Sequence, residues 1–226
     1  MRKTFLSLSL GLISIVGVSS ATVITVGGTS VANQGLQTSV AGATTIDFNV
    51  GNGVNPTYVE DGFTYSGLSA GSIRNNSVGS CAQPPNDTSN YLCVGPTQNS
   101  PVTATYGSLL NYFGFYVGSV DTYNFLDFYD GNTLKFSLTG SQIATRSGIA
   151  ANGNQGIGVY INIYANAGEE FNKIVFTSTS NALETDNHAF GKVNTIPTVD
   201  GQVPEPGTLL TIIPAAAFLY FRRKRA

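Results

Sequence analysis

The residues able to do chemistry in this 226-residue chain are few, and their spacing limits what they can do. Cys81 and Cys93 are the only thiols and His188 is the only imidazole, distant from both in sequence. That disfavours a metal site built on the cysteines. In an exported chain such a pair defaults to a disulfide. It would close a loop of about 13 residues and contribute roughly 3 kcal/mol in the chain-entropy model. Any Ser-His-Asp arrangement would have to use His188, which lies beside Asn187 inside an apparent strand. Glu169 and Glu170 are a carboxylate pair by sequence only, because neighbours on a strand face opposite ways; they fit a Gly168-Glu-Glu turn better. Asp121, Asp127 and Asp130 gather around a hairpin without the spacing of an EF-hand loop, and turn chemistry accounts for Asp130 and Asp121. Phosphate-loop, dinucleotide and zinc motifs are absent. What remains is aromatic. Tyr160, Asn162 and Tyr164 alternate on one face of a strand and form a polar-aromatic strip of the kind that stacks sugar rings and hydrogen-bonds hydroxyls. They are the candidate glycan contacts; the alternative is that these tyrosines lie in the core or between the sheets. The expectation is a protein without catalytic machinery.

The elements that must position these residues are strands. Strand signals cover 22–26, 44–50, 57–65, 102–106, 110–117, 123–129, 133–138, 157–165, 172–179 and 183–193. The clearest is 157–164, where Ile157, Val159, Ile161 and Ile163 share one face. In 110–117, Tyr112 and Tyr116 share a face and Phe113 and Phe115 the other. Asp130-Gly131-Asn132 predicts a hairpin turn. Residues 66–101 are rich in Gly, Ser, Asn, Pro and Gln and read as a long surface loop pinned by the disulfide. The pattern predicts an all-β domain over 22–193, a two-sheet antiparallel sandwich of jelly-roll type, with an Ig-like sandwich as the alternative. Residues 194–202 read as a linker.

Both ends of the chain carry routing signals. Arg2 and Lys3 precede an apolar stretch and the small residues Ser19-Ser20-Ala21, so 1–21 reads as a secretory signal peptide for the Sec translocon. At the other end Val203-Pro204-Glu205-Pro206 precedes an apolar segment, 207–221, and the basic cluster Arg222, Arg223, Lys224 and Arg225. Fifteen residues of helix would reach about 22 Å, short of a bilayer core of about 30 Å, and Pro214 interrupts them. The cluster is a cytoplasmic stop by the positive-inside rule. Residues 203–226 resemble the C-terminal sorting tag of exosortase-dependent (PEP-CTERM) surface proteins. That resemblance implies transient insertion in the inner membrane, cleavage near Pro204–Pro206 by an exosortase, and delivery to the cell surface or extracellular matrix. Terminal apolar helices are expected in both end segments. Six of the eleven basic residues and one of the thirteen acids lie in those segments, which leaves five against twelve and a net charge of −7 for the stretch between them. An acidic stretch without a basic patch argues against nucleic acid as a partner.

Further stretches are similar to one group of such surface proteins: Thr45-Ile-Asp-Phe48, Asn111-Tyr-Phe-Gly-Phe-Tyr116, Gly118-Ser-Val-Asp-Thr-Tyr-Asn124, Phe128-Tyr-Asp-Gly131 and Asn181-Ala-Leu-Glu-Thr-Asp-Asn187. This likeness implies location and a sandwich, and association with exopolysaccharide, without an activity. The cysteine pair departs from it. Glu184-Thr-Asp-Asn-His-Ala-Phe190 also resembles the last strand of carbohydrate-binding jelly rolls. That second resemblance implies a structural Ca²⁺ where an early strand meets the last one, with Asp47, Glu184 and Asp186 as ligands, since Ca²⁺ takes six to eight hard oxygens. It frames the alternative function, a carbohydrate-binding module with one defined sugar site.

Overall fold

The computed structural model describes residues 22–50 and 56–198. The predicted signal peptide 1–21 and the sorting tag 203–226 lie outside the described residues. So do the terminal helices expected in them, the motif Val203, Pro204, Glu205 and Pro206, the segment 207–221 and the basic end Arg222, Arg223, Lys224 and Arg225. Among the described residues no helix is long and apolar enough to cross a membrane.

The chain forms β1 (Val23–Val26), β2 (Thr29–Ser30), β3 (Leu36–Gln37), β4 (Thr44–Ile46), β5 (Thr57–Glu60), β6 (Phe63–Ser66), β7 (Ile73–Arg74) and β8 (Tyr91–Val94). There follow β9 (Val102–Leu110), β10 (Tyr112–Val117), β11 (Asn124–Asp130), β12 (Thr133–Thr139), α1 (Gly140–Ser147), β13 (Val159–Tyr164), β14 (Phe171–Ser178) and β15 (Leu183–Gly191). One sheet has the order β1-β13-β10-β15-β8-β7, with β4 also on β15; the other runs β12-β11-β14-β9-β6-β5. All pairings between them are antiparallel. From β9 onward the chain alternates between the sheets, except at the β11–β12 hairpin, whose two strands share one sheet. Taking β4 and β9 to β15 in chain order as eight strands, the sheets are 1-8-3-6 and 2-7-4-5. This is the two-Greek-key pattern of a jelly roll, and it decides against the Ig-like alternative.

Three elements depart from the sequence reading. Residues 57–65, expected as one strand, form the β5–β6 hairpin, because Asp61 and Gly62 both take positive φ, 45° and 81°. Asp-Gly at the two central positions is the chemistry such a turn requires. The segment 66–101 is not one surface loop. Its Tyr91-Leu-Cys-Val94 run is β8, buried along its whole length and paired with β15. A short continuous apolar run without alternation suits a strand covered on both faces. Helix α1 was not expected. Thr139 and Gln142 cap its start reciprocally, and Gly148 ends it at φ 68°.

The sheets enclose an aromatic core that includes Phe48, Tyr65, Phe113, Phe128, Phe176 and Phe190. His188 lies within it, stacked on Phe176 at 5.0 Å between centroids. A second, smaller apolar layer lies on the outer face of the first sheet. Tyr112, Tyr116, Tyr160, Tyr164 and Ala189 pack there beneath Leu36, Val40 and Ala43, with Val23, Val193 and Ile196 alongside. Ile196, in the expected linker, thus packs on the sandwich.

Candidate functional site

Strand β15 carries Glu184, Asp186 and His188, and a backbone irregularity decides where its side chains point. Its pairing with β10 shifts register between Gly114 and Tyr116, and Asn187 opposite that shift takes φ 49°. Asn tolerates this left-handed conformation better than most residues. The irregularity keeps Leu183, His188 and Phe190 in the main core, while Asn187 faces outward. The Asn187 amide donates to the Gln34 and Leu36 carbonyls at 2.5 and 3.1 Å and accepts from Gln37 Nε2 at 3.3 Å. It thereby fastens the β2–β3 hairpin over the tyrosine layer.

Tyr160, Asn162 and Tyr164 do form one strip, but they are 0, 4 and 5 % exposed. The Tyr160 hydroxyl donates to the Asn187 carbonyl at 3.0 Å, and Asn162 bonds Tyr112 and the Gly27 carbonyl. The strip is the floor of a covered layer, so the expectation that it contacts glycan is corrected. Alternation along one strand reveals which residues share a face; it cannot reveal that a hairpin 120 residues upstream in sequence lies over that face.

The three acids expected to hold Ca²⁺ do not converge. Among the described residues no group of three or more His, Cys, Asp or Glu is placed to hold a metal ion. Asp47 Oδ1 accepts from the Asn49 amide at 3.0 Å, a local turn. Asp186 approaches Ser89. Glu184 points elsewhere, accepting from the Ala82 amide at 2.9 Å and from Gln155 Nε2 at 3.5 Å. Glu169, read as a turn residue, bonds Asn166 and the Thr22 hydroxyl. Cys81 and Cys93 form the disulfide, with Cα atoms 6.1 Å apart.

Glu184 opens onto a feature the sequence did not disclose. A polar cleft of about 220 Å³ lies at the end of the sandwich where the β10–β11, β14–β15 and pre-β13 connections meet the disulfide segment. Its chemistry comes from Glu184, Asp121, Gln155, Asn181, Tyr123 and Ser80. A tight turn holds Asp121: its amide donates to Asn124 Oδ1 at 2.7 Å, and Asn124 returns a bond to the Asp121 carbonyl at 3.1 Å. Gly153 lets this carboxylate lie close, since a Cβ there would stand 2.9 Å from Asp121 Oδ1. Gln155 Nε2 donates to Ser119 Oγ at 2.8 Å, which leaves its Oε1 buried and unpartnered. Burial pushes the Glu184 carboxyl up from its ordinary value, and Asp121 adds repulsion. Burial, with Asp121 adding to it, pushes the Tyr123 hydroxyl up to about 12. The groups are acceptor-rich, two carboxylates and an amide oxygen beside one half-buried aromatic ring. Such an arrangement can receive a ligand that brings hydrogen-bond donors. The residues come from four separate connections and the start of β15, so no local motif marks them.

Comparison with known proteins finds no matching family model, no matching curated protein and no matching solved structure.

Proposed function

We propose that this is an exported, non-catalytic surface protein that uses the end cleft of its jelly roll to bind glycan of the extracellular matrix. The cleft carries the binding half of the reading. It is concave, polar and rich in acceptors, and sugar hydroxyls are donors that carboxylates and amide oxygens take well. The Tyr123 ring offers an apolar face beside them. Neutral or amino sugars fit this electrostatics; uronates, which bring their own negative charge to Glu184 and Asp121, do not. The delivery half rests on the two end segments: a signal peptide for the Sec translocon, and a tag that an exosortase holds and cuts after transient insertion in the inner membrane. With no ion site among the three acids, the module reading stands without structural Ca²⁺.

Calorimetric titration of the full chain in detergent with neutral, amino-sugar and uronate oligosaccharides tests the binding. Saturable binding of the first two is expected, weakened about tenfold or more by Glu184→Gln, as the loss of a charged hydrogen bond of about 1.5–3 kcal/mol implies, and about threefold or more by Gln155→Ala, whose neutral amide is worth about 0.5–1.5 kcal/mol. Binding that survives both changes, or none at all, would refute the cleft as the site.

A further inference from the structure

Two carboxyl groups meet beneath the disulfide-closed loop. Asp186 on β15 is 0 % exposed and Asp87 in the loop is 4 % exposed. Asp87 Oδ1 accepts from the Ser89 amide at 2.8 Å and from the Ser89 hydroxyl at 2.5 Å, while its Oδ2 has no partner. Asp186 Oδ2 sees the same hydroxyl at 3.3 Å, and its Oδ1 has no partner. Ser89 has a single hydroxyl proton, and the shorter contact commits it to Asp87. The two buried carboxyls lie within reach of each other, and each keeps one oxygen without a donor. The titratable groups acting on Asp186 are Asp87 from the loop, Asp47 just beyond β4, and the hydroxyls of Tyr65 on β6, Tyr116 on β10 and Tyr160 on β13, while the Asn187 backbone amide favours its charged form. None of these is cationic.

We propose that Asp186 keeps a proton at neutral pH and donates it to Asp87, and that this acid pair is an alkali-sensitive latch holding the disulfide loop against the sheet. One proton resolves both vacant acceptors at once, because it turns one oxygen into a donor for the other. Two like charges in contact in a buried site cannot both persist. Burial and the charge of Asp87 both push the Asp186 carboxyl well above its ordinary value. The latch has something to hold. The Pro85 carbonyl accepts from the Tyr116 hydroxyl at 2.5 Å, the Asn86 carbonyl from the Gly35 amide at 3.1 Å, and the Thr88 amide donates to the Asn33 carbonyl at 2.9 Å. The loop thus clamps the β2–β3 hairpin, and the hairpin covers the tyrosine layer. Loss of the proton sets Asp87 against Asp186 and loosens both coverings.

The direction of the pH dependence follows. The folded chain holds this proton over a range where an unfolded Asp, with a pKa of about 3.9, has lost it. The contribution is full below about pH 4, declines as pH rises, and is gone above the folded-state pKa. Infrared difference spectra and urea unfolding of the full chain in detergent, from pH 5 to 10, test this. The wild type should show a protonated-carboxyl carbonyl band at neutral pH that is absent in both Asp186→Asn and Asp87→Asn. Asp186→Asn, whose amide donates to Asp87 without titrating, should flatten the alkaline decline of the urea midpoint. A band that persists in both variants, or parallel declines in wild type and Asp186→Asn, overturns the latch. So does a midpoint raised by Ca²⁺ and lowered by EDTA in the wild type but not in Asp186→Asn, for the pair would then hold a cation.

Discussion

His188 shows how one residue can be chemically inert and structurally central. Its Nδ1 meets the Tyr65 hydroxyl at 2.9 Å and its Nε2 the Thr185 hydroxyl at 2.8 Å, so both ring nitrogens are used inside the core. Burial lowers its pKa to about 3. An unfolded His titrates near 6.5, so between those values the unfolded chain binds a proton that the folded chain refuses. Stability from this group is full above about pH 6.5 and falls as pH drops toward about 3. Glu60, Glu184 and Asp186 act oppositely, since burial raises each carboxyl. The difference between wild type and His188→Phe isolates the histidine. Urea unfolding should show the variant less stable at pH 7, by about 1–3 kcal/mol for two hydroxyls left without a partner. The gap should narrow as pH falls from 6.5, and a constant gap would contradict a neutral buried His188.

At the scale of elements, Asn187 joins a backbone irregularity to the fastening of a hairpin 150 residues away. Asn187→Gly keeps the left-handed conformation and removes the three side-chain bonds to the β2–β3 segment. The expected cost is about 1–3 kcal/mol, with new proteolysis confined to 29–43 and read by mass mapping. Equal cleavage throughout the domain would mean that the hairpin is not held separately. The ten stretches with strand signals each contain strand, because alternation and turn residues are local. Phe113 and Phe115 entered the core and Tyr112 and Tyr116 the other layer, as their alternation implied. Five features lie beyond that local reading. The hairpin at Asp61-Gly62 and the capping box at Thr139 and Gln142 carry local signals, Asp-Gly and Thr-x-x-Gln. The β8 run had an ambiguous one, apolar but embedded in Gly, Ser and Pro. The covering of Tyr160, Asn162 and Tyr164, and the assembly of the cleft, had none, since both depend on contacts between residues far apart in sequence.

For the whole molecule, the jelly roll and the disulfide supply a stable body, and the proposed tag supplies its address. Deleting 203–226 should release the protein as a soluble exported form, detected by fractionation; unchanged retention in the envelope would refute sorting by that segment. The direction of β15 adds a consequence. The strand begins at Leu183 beside the cleft and ends at Gly191, after which Val193 bonds Asn111 and Ile196 joins the tyrosine layer near Val23. Nine residues of strand span about 30 Å. The described chain therefore departs from the pole opposite the cleft, as a stem leaves the base of a cup.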